Sequence, residues 1–129
     1  FLERGDTYER PMATFLTEFA KDMNDASPQK LALLRKSFEE TVELCWNALN
    51  GSAFRPVRAI NAAVLDSIMS EVARRLRQSG PAPSAEAVKH AYEELVESSA
   101  FREGWERATA DEDVVKKRIN LARSAFSNI

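Results

Sequence analysis

Reactive side chains are scarce in this sequence. His90 is the only histidine and Cys45 the only cysteine among 129 residues. Zinc sites draw on spaced cysteines and histidines, so a metal centre would need an unusual carboxylate-rich set. No metal ligand and no cofactor is expected. His90 follows Lys89 on the outer side of a predicted helix, as a solvated residue. Cys45 falls within an apolar stripe, where a thiol acts as a small core hydrophobe. A serine triad could use only His90, and no strained Gly-x-Ser-x-Gly turn is present. Paired carboxylates can do acid–base work, and glutamates cluster at Glu39, Glu40 and Glu43 and at Glu93, Glu94 and Glu97. On amphipathic helices such runs are ordinarily the wet face. A di-iron bundle needs Glu-x-x-His from two helices, which one histidine cannot supply. No catalytic residue is assigned.

Two polar sets remain. There is no glycine-rich phosphate cradle. Basic residues do cluster: Arg74, Arg75 and Arg77 end one predicted helix, where they complement its dipole. Lys116, Lys117, Arg118 and Arg123 lie on the last helix and are the candidate nucleic-acid contacts. Lys116, Lys117 and Arg118 point in three directions, so they do not form one stripe. The other set is Asn61, Thr109 and Arg118, each beside an apolar face or at a helix start. A partly buried arginine needs acceptors, which an asparagine or helix-end carbonyls could supply. These three read as an internal polar clamp or, alternatively, as the lining of a pocket.

The elements that must position these residues are helices. Four glycines and five prolines sit between periodic stretches, and no strand-type alternation occurs. The first helix is expected to start near Pro11, with Met12, Phe15, Phe19 and Met23 at helical spacing. Ser27-Pro28 is an N-cap followed by a first-turn proline. Leu31, Leu34, Phe38, Val42, Cys45 and Leu49 then form one stripe, ended by Asn50-Gly51, with the glycine suited to a left-handed cap. A third, central helix presents Ile60, Val64, Ile68, Val72 and Leu76. The Pro-rich linker at 81–83 leads to Ser84, which caps a fourth helix carrying Val88, Ala91, Tyr92, Leu95 and Val96. A short fifth element holds Phe101 and Trp105. Thr109-Ala110-Asp111-Glu112 reads as a capping box before a last helix with Val115, Ile119, Ala122 and Phe126. The expected fold is all-α: a single domain over 1–129, an irregular bundle of five to six helices.

Composition bounds the rest. The length suits one domain, and 18 basic against 20 acidic residues give a net charge of −2, with no bias towards nucleic acid. No apolar run approaches the ~20 residues that span a bilayer, so no membrane partner is expected. One cysteine fits a reducing, cytoplasmic compartment. The chain begins at Phe1 rather than methionine and reads as a C-terminal fragment of a larger protein.

Three stretches, in order, carry a resemblance: Trp46-x-x-Leu49-Asn50-x-x-Ala53-Phe54-Arg55, then Ile60-Asn61-x-Ala63-x-Leu65-Asp66, then Phe101-Arg102, Thr109 and Val115-Lys116-Lys117-Arg118-Ile119. Over residues 30–128 they resemble the helical C-terminal part of a bacterial family of uncharacterised and defence proteins. Members of that family begin with a ParB/sulfiredoxin-like nuclease domain, as in GmrSD-type modification-dependent restriction enzymes. The resemblance implies that chemistry belongs to an N-terminal domain with an Asp-Gly-Gln-Arg motif, absent from this sequence, as is the His-Asn-His nuclease of some relatives. Asn61, Thr109 and Arg118 match positions typical of the family, without a fixed role. The function expected is a non-catalytic accessory or interaction domain of a restriction or anti-phage type protein. Its partners would be the nuclease domain of the same protein, a second copy, or DNA. The alternatives are a nucleic-acid-binding helical module and a small-ligand or enzyme domain of unknown class.

Overall fold

The computed structural model describes residues 1–129 and is all-helical. Six α-helices follow in order: α1 (Met12–Asn24), α2 (Pro28–Leu49), α3 (Ala62–Arg77), α4 (Ala85–Glu97), α5 (Ser99–Glu106) and α6 (Glu112–Phe126). Single 3₁₀ turns occupy Gly5–Thr7 and Asn50–Ser52.

Local chemistry sets most of the boundaries. Ser27 accepts from the Lys30 N–H with Pro28 in the first turn of α2, and Ser84 accepts from the Ala87 N–H at α4. Each satisfies a backbone donor that the helix itself leaves unpaired. Three boundaries differ from expectation. At the end of α2, Asn50 rather than Gly51 takes a positive φ, 50° with ψ −139°, which is not the left-handed helical cap expected. The third helix begins at Ala62, with Asn61 as its cap, so Ile60 lies outside it and is 56% exposed. The capping box at Thr109 does not form, and Asp111 occupies the N-cap position. The carbonyls of Thr109 and Ala110 instead accept from Arg118 and from the Tyr8 hydroxyl. That commits the two residues to a turn and delays the helix.

The core is one cluster fed by α2 to α6. Its centre is α3, which packs on both α2 and α6. Val64, Ile68 and Val72 of α3 meet Phe126 of α6 and Phe101 of α5, all of them fully buried. A smaller cluster forms where Tyr8 packs on Val115 and Ile119, covered by Phe1, Met12 and Phe15. Helix α1 buries no residue. It leans on the N-terminal segment through Phe15, whose ring lies 5.5 Å from that of Phe1 and 5.3 Å from that of Tyr8. No helix is long and apolar enough to cross a membrane.

Candidate functional site

The largest fully buried side chain is that of Arg118, which is 1% exposed. Helix α6 aims it at the meeting point of α3, α5 and the α5–α6 loop. Its Nε donates to Ser67 Oγ at 2.9 Å, and one terminal nitrogen donates to the carbonyls of Gly104 at 2.8 Å and Thr109 at 3.2 Å. Ser67 in turn donates to the Ala63 carbonyl. Gly104 makes the approach feasible, because a Cβ there would stand 3.3 Å from Arg118 Cβ. Burial lowers the Arg118 pKa from its ordinary value, and the nearby Asp66 carboxylate opposes that shift. Burial in turn raises the pKa of Asp66.

Asn61 works on the same loop from the other side. Its Oδ1 accepts from the Ala63 and Val64 N–H groups, and its Nδ2 donates to the Trp105 carbonyl at 3.3 Å. Asn61, Arg118 and the Thr109 backbone thus converge on the C-terminal end of α5 and the turn after it. The Thr109 side chain takes no part. An arginine 1% exposed offers no guanidinium to a ligand without parting the helices.

A second buried polar group, Glu71 on α3, is 1% exposed. It accepts from Arg74 Nε and from Arg123 at 3.1 and 3.3 Å, while Arg123 also pairs with Asp6. Glu71, then Asp6, raise the Arg123 pKa by bonding its charged form. Beside them lies a cavity of about 50 Å³ walled by Ser70, Glu71, Arg74 and Arg123 of the helices and by Gly5 and Asp6. Ser70 Oγ and one Arg74 terminal nitrogen have no protein partner there. Glu71 lies outside the two glutamate clusters that the sequence offers. The available signal was its position seven residues after Val64, on the buried line of α3.

The basic set on α6 therefore does not act as one group. Arg118 is withdrawn from nucleic-acid contact by burial, and Arg123 is engaged by Glu71 and Asp6. Lys116 and Lys117 stay exposed, with Lys116 Nζ 2.6 Å from Glu112 and Lys117 Nζ 3.7 Å from Glu103. Cys45 is 2% exposed, and burial pushes its thiol up to about 12. His90 is a surface residue 3.5 Å from Glu94. No group of three His, Cys, Asp or Glu side chains converges as a metal site would.

The largest departure from the expected core is on α2. Of its stripe, Cys45 and Leu49 are buried, whereas Leu31, Phe38 and Val42 are 43%, 54% and 41% exposed. Trp46, one turn beyond Val42, is 61% exposed. An open apolar groove of about 210 Å³ borders this face, between Phe1, Leu2 and Phe19 on one side and Leu34 and Phe38 on the other. Periodicity marked the stripe as apolar but could not tell which part the chain itself covers. No protein-family model, curated protein or solved structure matches the chain.

Proposed function

We propose that the chain is a non-catalytic interaction domain, accessory to a nuclease domain in a bacterial, cytoplasmic protein of restriction or anti-phage type. The observation that carries the interaction reading is the exposed apolar face of α2. Scattered apolar residues on a surface need no explanation, whereas a contiguous patch of a few hundred Å² marks a contact site. The two buried charged side chains, Arg118 and Glu71, support the non-catalytic reading, since their bonds are spent on tying segments of this chain together. The nuclease setting rests on the resemblance of the three sequence stretches. Direct nucleic-acid binding is the weaker reading, because two of its four residues are occupied inside the fold.

Two measurements test the proposal. The purified chain with Mg²⁺ or Mn²⁺ is expected to cut no DNA and hydrolyse no nucleotide; turnover that survives repurification would refute the non-catalytic assignment. Phe38→Glu with Trp46→Glu is expected to leave helical content unchanged and the melting temperature within a few degrees, as for surface positions. Loss of the fold would mean that the face belongs to the core. Duplex DNA titrated at low salt is expected to show no saturable binding.

A further inference from the structure

Helix α2 carries its charges the wrong way round for an isolated helix. The basic residues Lys30, Arg35 and Lys36 fall in its N-terminal half, and Glu39, Glu40 and Glu43 follow them. No acidic residue lies in the first turn and no basic residue in the last. Lys30, in the first turn, opposes the helix dipole, which favours anions at the N-terminus and cations at the C-terminus. The same half is also poorly held. From Pro28 to Glu40 no residue is buried, and a helical stretch of that length is marginal in water without packing. Both features are resolved by a neighbour with the opposite order of charge and a matching apolar seam. Another α2 running antiparallel has both.

We infer that α2 pairs antiparallel with α2 of a second copy about a two-fold axis near Phe38; this rests on the interaction-domain reading and names its partner. Leu31, Phe38, Val42 and Trp46 advance by seven, four and four residues, so they form one line along the helix. Its midpoint falls at Phe38–Glu39. An antiparallel two-fold there sets Leu31 against Trp46 of the other copy and brings the two Phe38 side chains to within one residue of each other's level. It also brings the same border of both helices together. Arg35 breaks that line between Leu31 and Phe38, and Glu39 and Glu43 lie beside it. Arg35 of each copy lies within one residue of the level of Glu43 of the other, and each basic half faces an acidic half.

The area is adequate. Aromatic side chains offer about 150–250 Å² each, so the four half-exposed apolar residues present roughly 400 Å². The stems of Arg35, Glu39 and Glu43 add to this, giving on the order of 600 Å² per copy. That is the lower end of a standard interface.

Sedimentation equilibrium of the whole chain from about 1 to 200 μM tests this. A reversible shift to twice the chain mass is expected. Arg35→Glu or Glu43→Arg alone should weaken association at least about tenfold, and the two together should restore it. Phe38→Glu should give a monomer with the helical content of the wild-type chain at dilutions where that chain is itself monomeric. A wild-type chain that stays monomeric at 200 μM overturns the pairing. Association unaffected by Arg35→Glu, or no rescue in the double variant, overturns the antiparallel geometry. Failure here is distinct from failure of the interaction reading, which the activity and folding measurements decide on the monomer.

Discussion

At the scale of single residues, burial decides what each group can do. Arg118 supplies hydrogen bonds to Ser67, Gly104 and Thr109 from a site almost closed to water. Arg118→Met would keep much of the packing while leaving the buried Gly104 carbonyl and the part-buried Thr109 carbonyl without their donor. An orphaned buried acceptor costs about 1–3 kcal/mol, so a loss of about 3 kcal/mol in urea unfolding is expected. Arg118→Lys should recover little, because an ammonium lacks the planar fork that reaches Nε and terminal-nitrogen partners together. Cys45 gives a pH-dependent counterpart. Its thiol is raised from 9.0 to about 12 in the folded chain. Above pH 9 the unfolded chain releases that proton and the folded chain keeps it. Stability from this group is therefore complete below pH 9 and falls as pH rises from 9 towards 12, by up to about 1.4 kcal/mol per pH unit. Cys45→Ala should remove that slope from a urea titration series, and the native thiol should resist a disulfide reagent at pH 8 until the protein unfolds.

At the scale of elements, what was legible in the sequence is what local chemistry alone decides. Ser27-Pro28 and Ser84 cap their helices because the serine oxygen and the backbone donor lie within three residues of each other. Thr109 had the same pattern and fails, because Arg118 and Tyr8, from 9 and 102 residues away, hold the carbonyls of that turn. Asn61 was placed beside the apolar face of its helix. Its double role, as cap of α3 and donor to Trp105, depends on where α5 ends, which no spacing near residue 61 records. Nothing near residue 71 marks the pairing of Glu71, because one of its two partners, Arg123, lies 52 residues away on α6. The two roles of Asn61 can be separated. Asn61→Ala should cost about 1–2 kcal/mol by losing both. Asn61→Ser keeps a capping oxygen and loses only the donor to the Trp105 carbonyl, so it should cost less than half as much. Equal losses in thermal unfolding would mean that the tether, not the cap, carries the effect.

At the scale of the molecule, stability should be graded rather than uniform. Helices α3 and α6 pack together at the centre of the core and carry both buried charged side chains, so their amides should exchange with solvent only when the whole chain unfolds. Helix α1 buries nothing, and it is held by the Phe15 ring contacts, the exposed Arg4–Asp22 ion pair and Arg4 stacked over Phe19. An exposed pair adds at most about 1 kcal/mol, so α1 should open locally at low free energy and exchange fastest. The first half of α2 lies between these limits. Its backbone is helical, yet nothing from Pro28 to Glu40 is buried in one copy. Protection there should rise with protein concentration if α2 pairs with a second copy, while protection of α1 and α3 stays constant. Hydrogen exchange read by mass spectrometry at about 1 and 100 μM separates the three behaviours in one experiment. Arg118→Met should lower protection in α3 and α6 by the same free energy that it removes from global unfolding, and should leave α1 unchanged, because α1 already opens by a route that does not involve the core. Uniform loss across all six helices would mean that α1 unfolds with the core as one cooperative unit, and that the ring contacts of Phe15 hold it more firmly than its burial indicates.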